Sequence, residues 1–297
     1  MQKIVECVPN FSEGRDLKKI NKIADSARKI KGVKVLDVEW DKSHNRSLVT
    51  LVGAPEAVSS AAFNMVKTAT ALINMENHTG EHPRLGATDV VPFVPVSGVT
   101  ISECVALSRK LAQKVARELK IPVYLYEAAA TRPDRVNLAD VRRGEYEGLK
   151  EEIGRNPDKK PDYGPNKMHP TAGAVVIGAR KFLVAYNVNL DTKDIEIGKK
   201  IAKKIREKDG GLPGVKALGF EVDGYAQVSM NLVDFEKTNF DEAYGAIEKE
   251  ARALGVNIRS SEVYGMIPLE SLVRAIKTTF KAETFRSDQV LEKKVFE

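Results

Sequence analysis

The sequence predicts an α/β (α+β) protein made of two βαββαβ-type units, each a sheet with helices on one face, with a ligand cleft between them. Three observations predict it. Apolar residues recur at helical spacing in long segments and fill the short segments between them. The order strand, helix, strand, strand, helix, strand occurs in each half of the chain. An irregular stretch rich in Arg, Asp, Pro and Gly, residues 128–172, separates those halves. The domains are expected at residues 1–180 and 181–297, with no obvious sequence repeat between them.

In the first half, Gln2 to Val8 reads as a strand. Asp16 to Ile30 reads as a helix, with Leu17, Ile20, Ile23, Ala24, Ala27 and Ile30 on one face and Gly32 as its stop. Val33 to Val38 and Ser47 to Val52 are strands joined by the polar turn Asp41-Lys42-Ser43-His44-Asn45. Pro55 opens a helix to Ile73, and Asp89 to Pro95 is the next strand. A helix over Ser102 to Leu119 and a strand over Val123 to Glu127 extend the sheet. The irregular stretch holds one short helix, around Arg143 to Ile153. In the second half, Phe182 to Val188, Val215 to Val222, Ala226 to Asp234 and Val256 to Met266 are strands. Thr192 to Arg206 is a helix; a second begins at Thr238, with Asp241 as a capping-box partner, and stops at Gly255.

Composition narrows the class. Of 297 residues, 42% are hydrophobic and 30% charged, an ordinary soluble balance. No apolar run is long enough to span a membrane, and the N-terminus lacks a signal-peptide pattern. Cys7 and Cys104 sit in apolar runs and read as buried thiols, so a cytoplasmic protein without disulfides is expected. The net charge of +6 can attract polyanions. Much of it lies in Lys199 to Lys208, where Ile201, Ala202 and Ile205 turn inward, so it reads as a solvated helix face. No nucleic-acid motif accompanies it.

The chemistry concentrates in His78-Thr79-Gly80-Glu81-His82-Pro83-Arg84-Leu85-Gly86-Ala87-Thr88-Asp89, which holds two of the four histidines. Imidazole is the side chain that titrates near neutrality. His78-x-x-Glu81-His82 has the spacing of an inverted zinc-peptidase motif, which needs a helix to bring both rings to one ion. Gly80 and Pro83 oppose that helix. A loop histidine bonded to backbone and a catalytic histidine are the other two readings.

The segments Glu6-Cys7-Val8-Pro9-Asn10-Phe11-Ser12-Glu13-Gly14, Asn45-Arg46, His78 to Asp89, Pro122-Val123-Tyr124-Leu125-Tyr126, Arg143-Gly144-Glu145-Tyr146-Glu147, Pro161-Asp162-Tyr163-Gly164-Pro165, Gly178 to Leu183 and Ala226 to Leu232 closely resemble glutamate formiminotransferase. The resemblance covers nearly the whole chain. It implies transfer of a formimino group between N-formimino-L-glutamate and tetrahydrofolate, in histidine breakdown. It implies tetrahydrofolate as co-substrate, no metal, a homodimer, and no nucleic-acid or membrane partner. Some members carry a fused cyclodeaminase; the end of this chain soon after the second unit implies none here.

The resemblance makes His82 the general acid/base, and proton transfer to and from nitrogen suits an imidazole. Where the family commonly has an aspartate, this chain has Glu39, which can orient the ring or bind the amidine; Asp37 competes for that role, and a solvated strand-end carboxylate is the plainer reading. Tyr163, Gly164, Pro165, Asn166, Lys167, Met168, His169, Pro170, Thr171 and Ala172 match the folate-binding stretch. There Tyr163 can stack on a flat ring and Gly164 permits close approach, while His169 has no individual role. Asn10, Ser12, Arg84 and Arg180 complete the expected substrate contacts, although Arg180 with Lys181 reads equally as a surface pair. The alternatives are a C1 transferase using another amino acid, such as formiminoglycine, or a formyl group; a folate-binding protein without turnover; and a zinc hydrolase.

Overall fold

The computed structural model describes residues 2–296, which divide into two compact units, 1–180 and 181–297. The first unit runs β1 (Ile4–Cys7), β2 (Asn10–Phe11), α1 (Leu17–Arg28), β3 (Val33–Asp41), β4 (Arg46–Gly53), α2 (Pro55–Leu72), β5 (Thr88–Ser97), α3 (Ile101–Leu119), β6 (Val123–Glu127), α4 (Leu138–Val141), α5 (Glu145–Glu152) and β7 (Val175–Ala179). Local signals place these helices. Asp16 caps α1 by accepting from the Lys18 and Lys19 amides. Pro55 occupies the first turn of α2, and Thr100 with Glu103 forms a capping box on α3.

The seven strands form one sheet. β3 pairs β4, β4 pairs both β1 and β2, and these pair β5, all antiparallel. β7 lies between β5 and β6, parallel to both. β7 is absent from the sequence expectation. Its residues Val-Val-Ile-Gly-Ala are all buried, as in a central parallel strand, and such a short apolar run carries no alternation to mark it.

The two faces of this sheet differ. Phe11, Val49, Leu51, Val91, Phe93, Leu125 and Ile177 point into a core shared with α1, α2 and α3. Val90, Tyr124, Tyr126 and Val176 point the other way and pack under Leu149 and Ile153. So helices do not cover one face alone. The α4–α5 segment covers the β5-β7-β6 half of the opposite face, and no helix among the described residues of this unit packs on the β3-β4 half of that face.

The second unit runs β8 (Val184–Leu190), α6 (Ile195–Ile205), β9 (Val215–Val222), β10 (Tyr225–Leu232), α7 (Phe240–Ala253), β11 (Ile258–Tyr264), α8 (Leu269–Phe280) and α9 (Leu291–Phe296). Its sheet order is β11-β8-β10-β9, the βαββαβ topology, with a core of its own. The α7 cap differs from the expectation at Thr238 and Asp241. Asn239 is the cap, and the Glu242 carboxylate accepts from its amide at 2.8 Å, because the longer side chain reaches back across the turn. α8 and α9 are also absent from the sequence expectation. Asn239 and Ser271, both fully buried, exchange hydrogen bonds that tie the start of α7 to α8.

Candidate active site

The His82 loop has no helix across His78 to His82; a single 3-10 turn, Met75–Asn77, ends before it. The loop is pinned on both sides. The β3–β4 turn forms its bed: Asn45 donates to the Thr79 carbonyl at 2.9 Å, and its Oδ1 accepts from the Gly14 amide at 2.9 Å. A Cβ at Gly80 would stand 2.4 Å from the His44 carbonyl, so only glycine allows this approach. Downstream, the Ser12 hydroxyl donates to Gly86 O at 2.8 Å, and the Ala87 amide donates to Ala172 O at 2.9 Å.

His78 is a structural histidine. Its Nε2 meets the Asn45 carbonyl at 3.1 Å, and its Nδ1 accepts from Arg84 Nε at 3.2 Å. Both ring nitrogens are thereby engaged and neither is free to hold a metal. Arg84 in turn donates to Glu147 at 2.7 and 2.8 Å and to Glu145 at 3.1 Å. The structure therefore places Arg84 inside an ion-pair network that fastens the loop to α5.

His82 faces a different set. The Arg46 guanidinium lies against its Nε2, and the ring also hydrogen-bonds the Pro83 backbone. Donation to Pro83 O and acceptance from Arg46 assign the neutral Nδ1–H tautomer. Burial first, then Arg46 and Arg142, pushes the His82 pKa down to about 2. The imidazole is thus held in its base form. The His44 ring stands edge-on with centroids 6.4 Å apart, and the Asp41 carboxylate holds it at 2.9 Å. Arg142 pairs with buried Asp89, which also accepts from the Leu85 amide at 3.1 Å.

The strand register relates this cluster to the helix-free half of the sheet. Glu39 pairs with Leu48, Leu48 with Asn10, and Asn10 with Val90, so these side chains form one row on that face. Asp41 pairs with Arg46 one alternation away, on the same face. Glu39 thus lies diagonal to Arg46, though among the described residues it makes no hydrogen bond to His82. Burial, then repulsion from Asp37, raises its pKa. Asn10 donates to Val8 O at 2.8 Å, and among the described residues its buried Oδ1 has no partner. Farther along the same face, Arg180 partly offsets the burial that raises the Glu6 pKa and bonds the Tyr126 hydroxyl.

The segment from Tyr163 to Ala172 divides into two parts. Tyr163 and Val123 exchange backbone hydrogen bonds, and the Tyr163 side chain packs on the helix-face core. Gly164, at φ +91°, passes so close that a Cβ would meet the Ile121 carbonyl at 2.7 Å. Pro165 is half-buried, Asn166, Lys167 and Pro170 are exposed, and Met168 packs at the core margin. Burial depresses the His169 pKa, and its Nδ1 accepts from the Thr171 and Ala172 amides at 3.3 and 3.0 Å. Thr171 O receives the Met75 amide. The C-terminal part therefore abuts the His82 loop, and the N-terminal part lies at the start of β6. A cavity of about 650 Å³, lined by Met75, Glu76, His78, Tyr146, Glu147, Lys150 and neighbours, opens beside the loop.

Sequence reasoning missed Arg46, Asp89 and Arg142 as partners of the catalytic candidate. Arg46 and His82 stand 36 positions apart, and no local pattern links them. Among the described residues, no group of three or more His, Cys, Asp or Glu is placed to hold a metal. No helix among them is long and apolar enough to cross a membrane.

Known proteins resemble this chain along its length. Residues 4–180 match the N-terminal subdomain of the formiminotransferase domain, and residues 185–294 match the formiminotransferase domain. A glutamate formimidoyltransferase of Streptococcus pyogenes serotype M1 is 49% identical over 295 residues, with 98% of each chain covered. One of Thermoplasma acidophilum is 47% identical over 296 residues, covering 98% of this chain and 97% of that one. The formimidoyltransferase-cyclodeaminase of Rattus norvegicus is 43% identical over 284 residues, 93% of this chain but 52% of its own length. Two matched subdomains, and relatives shared almost end to end, show that the chain belongs to the formiminotransferase family.

Proposed function

We propose that this protein is a glutamate formimidoyltransferase that moves a formimino group between N-formimino-L-glutamate and tetrahydrofolate. The observation that carries the reading is the His82 imidazole, on a loop pinned by Asn45 and Ser12, beside a sheet face that bears carboxylates. A formimino group is an amidine, cationic at neutral pH, so Glu39 and its neighbours on β3 suit it. The unpartnered Oδ1 of Asn10 is an acceptor for the N–H groups that a pterin ring presents.

The chemistry follows from those groups. The folate nitrogen attacks the amidine carbon, and His82 takes the proton that this nitrogen sheds as its C–N bond forms. The resulting tetrahedral carbon carries both nitrogens. The imidazolium then gives its proton to the glutamate nitrogen, and that C–N bond breaks. No covalent bond to the protein is needed. Glu39 faces the amidine, and Asn10, Ser12, Arg180 and the Thr171–Ala172 end of the Tyr163 to Ala172 segment frame the folate and glutamate. Arg84 acts by holding the loop. The resemblance also supports a cytoplasmic homodimer, which sedimentation and fractionation check.

The deciding experiment is a spectrophotometric assay with tetrahydrofolate and N-formimino-L-glutamate, run against formiminoglycine and N-formyl-L-glutamate. Turnover with formiminoglutamate at least about tenfold above the others is expected, since a site built for a polar group rejects a substrate lacking it. Folate binding without turnover of any donor would overturn the reading.

A further inference from the structure

We propose that Arg46 is the receptor for a carboxylate of the formimino donor, and that its move from His82 to that carboxylate frees the base. The inference rests on the proposed transfer reaction, whose donor and released amine are both anionic amino acids.

Arg46 is a half-buried cation that, among the described residues, hydrogen-bonds no carboxylate; the nearby Asp89 favours its charge without pairing it. Its Nε is buried and, among the described residues, has no hydrogen-bond partner. Its other contact is with a neutral ring, His82 Nε2. Of the neighbouring carboxylates, Glu39 lies diagonal to Arg46 without bonding it among the described residues, and Asp89 and Asp41 are engaged elsewhere. Asp89 gives both oxygens to Arg142 and one of them also to the Leu85 amide. Asp41 holds the backbone and ring of His44 at 2.6 and 2.9 Å. Two buried guanidinia of this unit are paired by contrast: Arg84 with Glu145 and Glu147, and Arg135 with Asp162. Burial, then the nearby Arg142, depresses the Arg46 pKa to about 10, and Asp89 offsets only part of that.

A guanidinium offers a planar fork of donors that fits a carboxylate two-fold, and a charged pair of this kind outcompetes a bond to a neutral imidazole. The space around Arg46, lined by Phe11, Ser12, Asn45, His82, Asp89 and neighbours, is only about 10 Å³, room for about one water. A carboxylate enters only if the guanidinium swings, and the swing uncovers His82 Nε2. The charged or titratable groups then facing the ring are Arg142 from the end of α4 and His44 from the β3–β4 turn. Base activation is thereby tied to an anionic donor. An amidine donor without a carboxylate would meet a covered base.

The test follows the His82 ring by NMR titration, assigned with His82→Gln, in the wild-type protein with and without saturating L-glutamate. The free ring should stay neutral down to about pH 5, and glutamate should raise its midpoint by at least about one unit as Arg46 turns to the carboxylate. In Arg46→Gln, the ring should titrate nearer the ordinary histidine range without glutamate. Glutamate affinity should fall at least about tenfold, the loss in kcat/KM should lie mainly in KM, and Arg46→Lys should restore part of it. A ring unmoved by glutamate in the wild type, or unchanged glutamate affinity in Arg46→Gln, overturns the proposal. The wild-type measurement stands even if the variant does not fold. A glutamate-linked shift without formimino transfer would sink the transferase reading and leave the Arg46 receptor standing. Transfer without the shift would do the reverse.

Discussion

Replacing His82 by alanine should leave the fold intact and lower kcat by about 10²- to 10⁴-fold, the range for a positioned acid–base group. The ring sits on a loop held by backbone and Asn45 contacts, so its loss removes little packing. Wild-type kcat in that variant would take His82 out of the mechanism. Acid should also weaken the protein through its histidines. Burial pushes His82, His78 and His169 below their ordinary value of 6.5. The unfolded chain takes up these protons below about pH 6.5 and the folded one does not, so this stability is present above that pH and lost as pH falls. For His82 the loss runs at up to about 1.4 kcal/mol per pH unit toward a folded value of about 2. Urea unfolding at several pH values should show a shallower acid slope in His82→Gln; identical slopes would refute the assignment. His82 itself was legible in the sequence, because one loop gathers imidazoles, glycines and a proline. Its partner was not, since Arg46 is one basic residue among 47 until the loop folds onto β4.

The α4–α5 segment joins the covered half of the sheet to the His82 cluster through Asp89 and Arg142. Both side chains are largely buried, so Asp89→Asn leaves a buried guanidinium without its anion and should cost about 3 kcal/mol. Chemical unfolding measures that loss, and hydrogen exchange should locate it in residues 138–153. Uniform exchange across the unit would show that the pair does not hold this element. The long helices α1, α2 and α3 were legible, because each carries a strong apolar stripe and two of them a capping signal. β7 was hidden after a long irregular stretch. Five buried residues between two parallel strands show no period, and its burial is set by β5 and β6 rather than by its own sequence. The start of α7 moved by one residue because Asn239 and Thr238 are both good caps, and only Glu242 and Ser271 choose between them.

The chain carries a net charge of +6, and folates and glutamate carry carboxylates, so binding should weaken as salt screens the attraction. Folate affinity should fall several-fold between about 50 mM and about 500 mM salt, and less steeply in a variant lacking one cation of the site. Affinity indifferent to salt would mean that the carboxylates are not held by charge. Dialysis against a chelator should leave turnover unchanged, because both nitrogens of His78 are already bonded to protein groups. Lost activity restored by zinc would contradict that geometry.

By itself the sequence determined the element types, the repeated βαββαβ order, the family resemblance and the His82 loop. These are local properties: hydrophobic period, turn chemistry and the steric needs of Gly and Pro act over a few residues. The tertiary structure alone decided that β7 inserts between β5 and β6, and that Arg84 fastens the loop. It alone brought Arg46 and Arg142 to the base. Those outcomes depend on strand register and on packing between segments far apart in sequence, and a charged side chain carries no local mark of the partner it will meet.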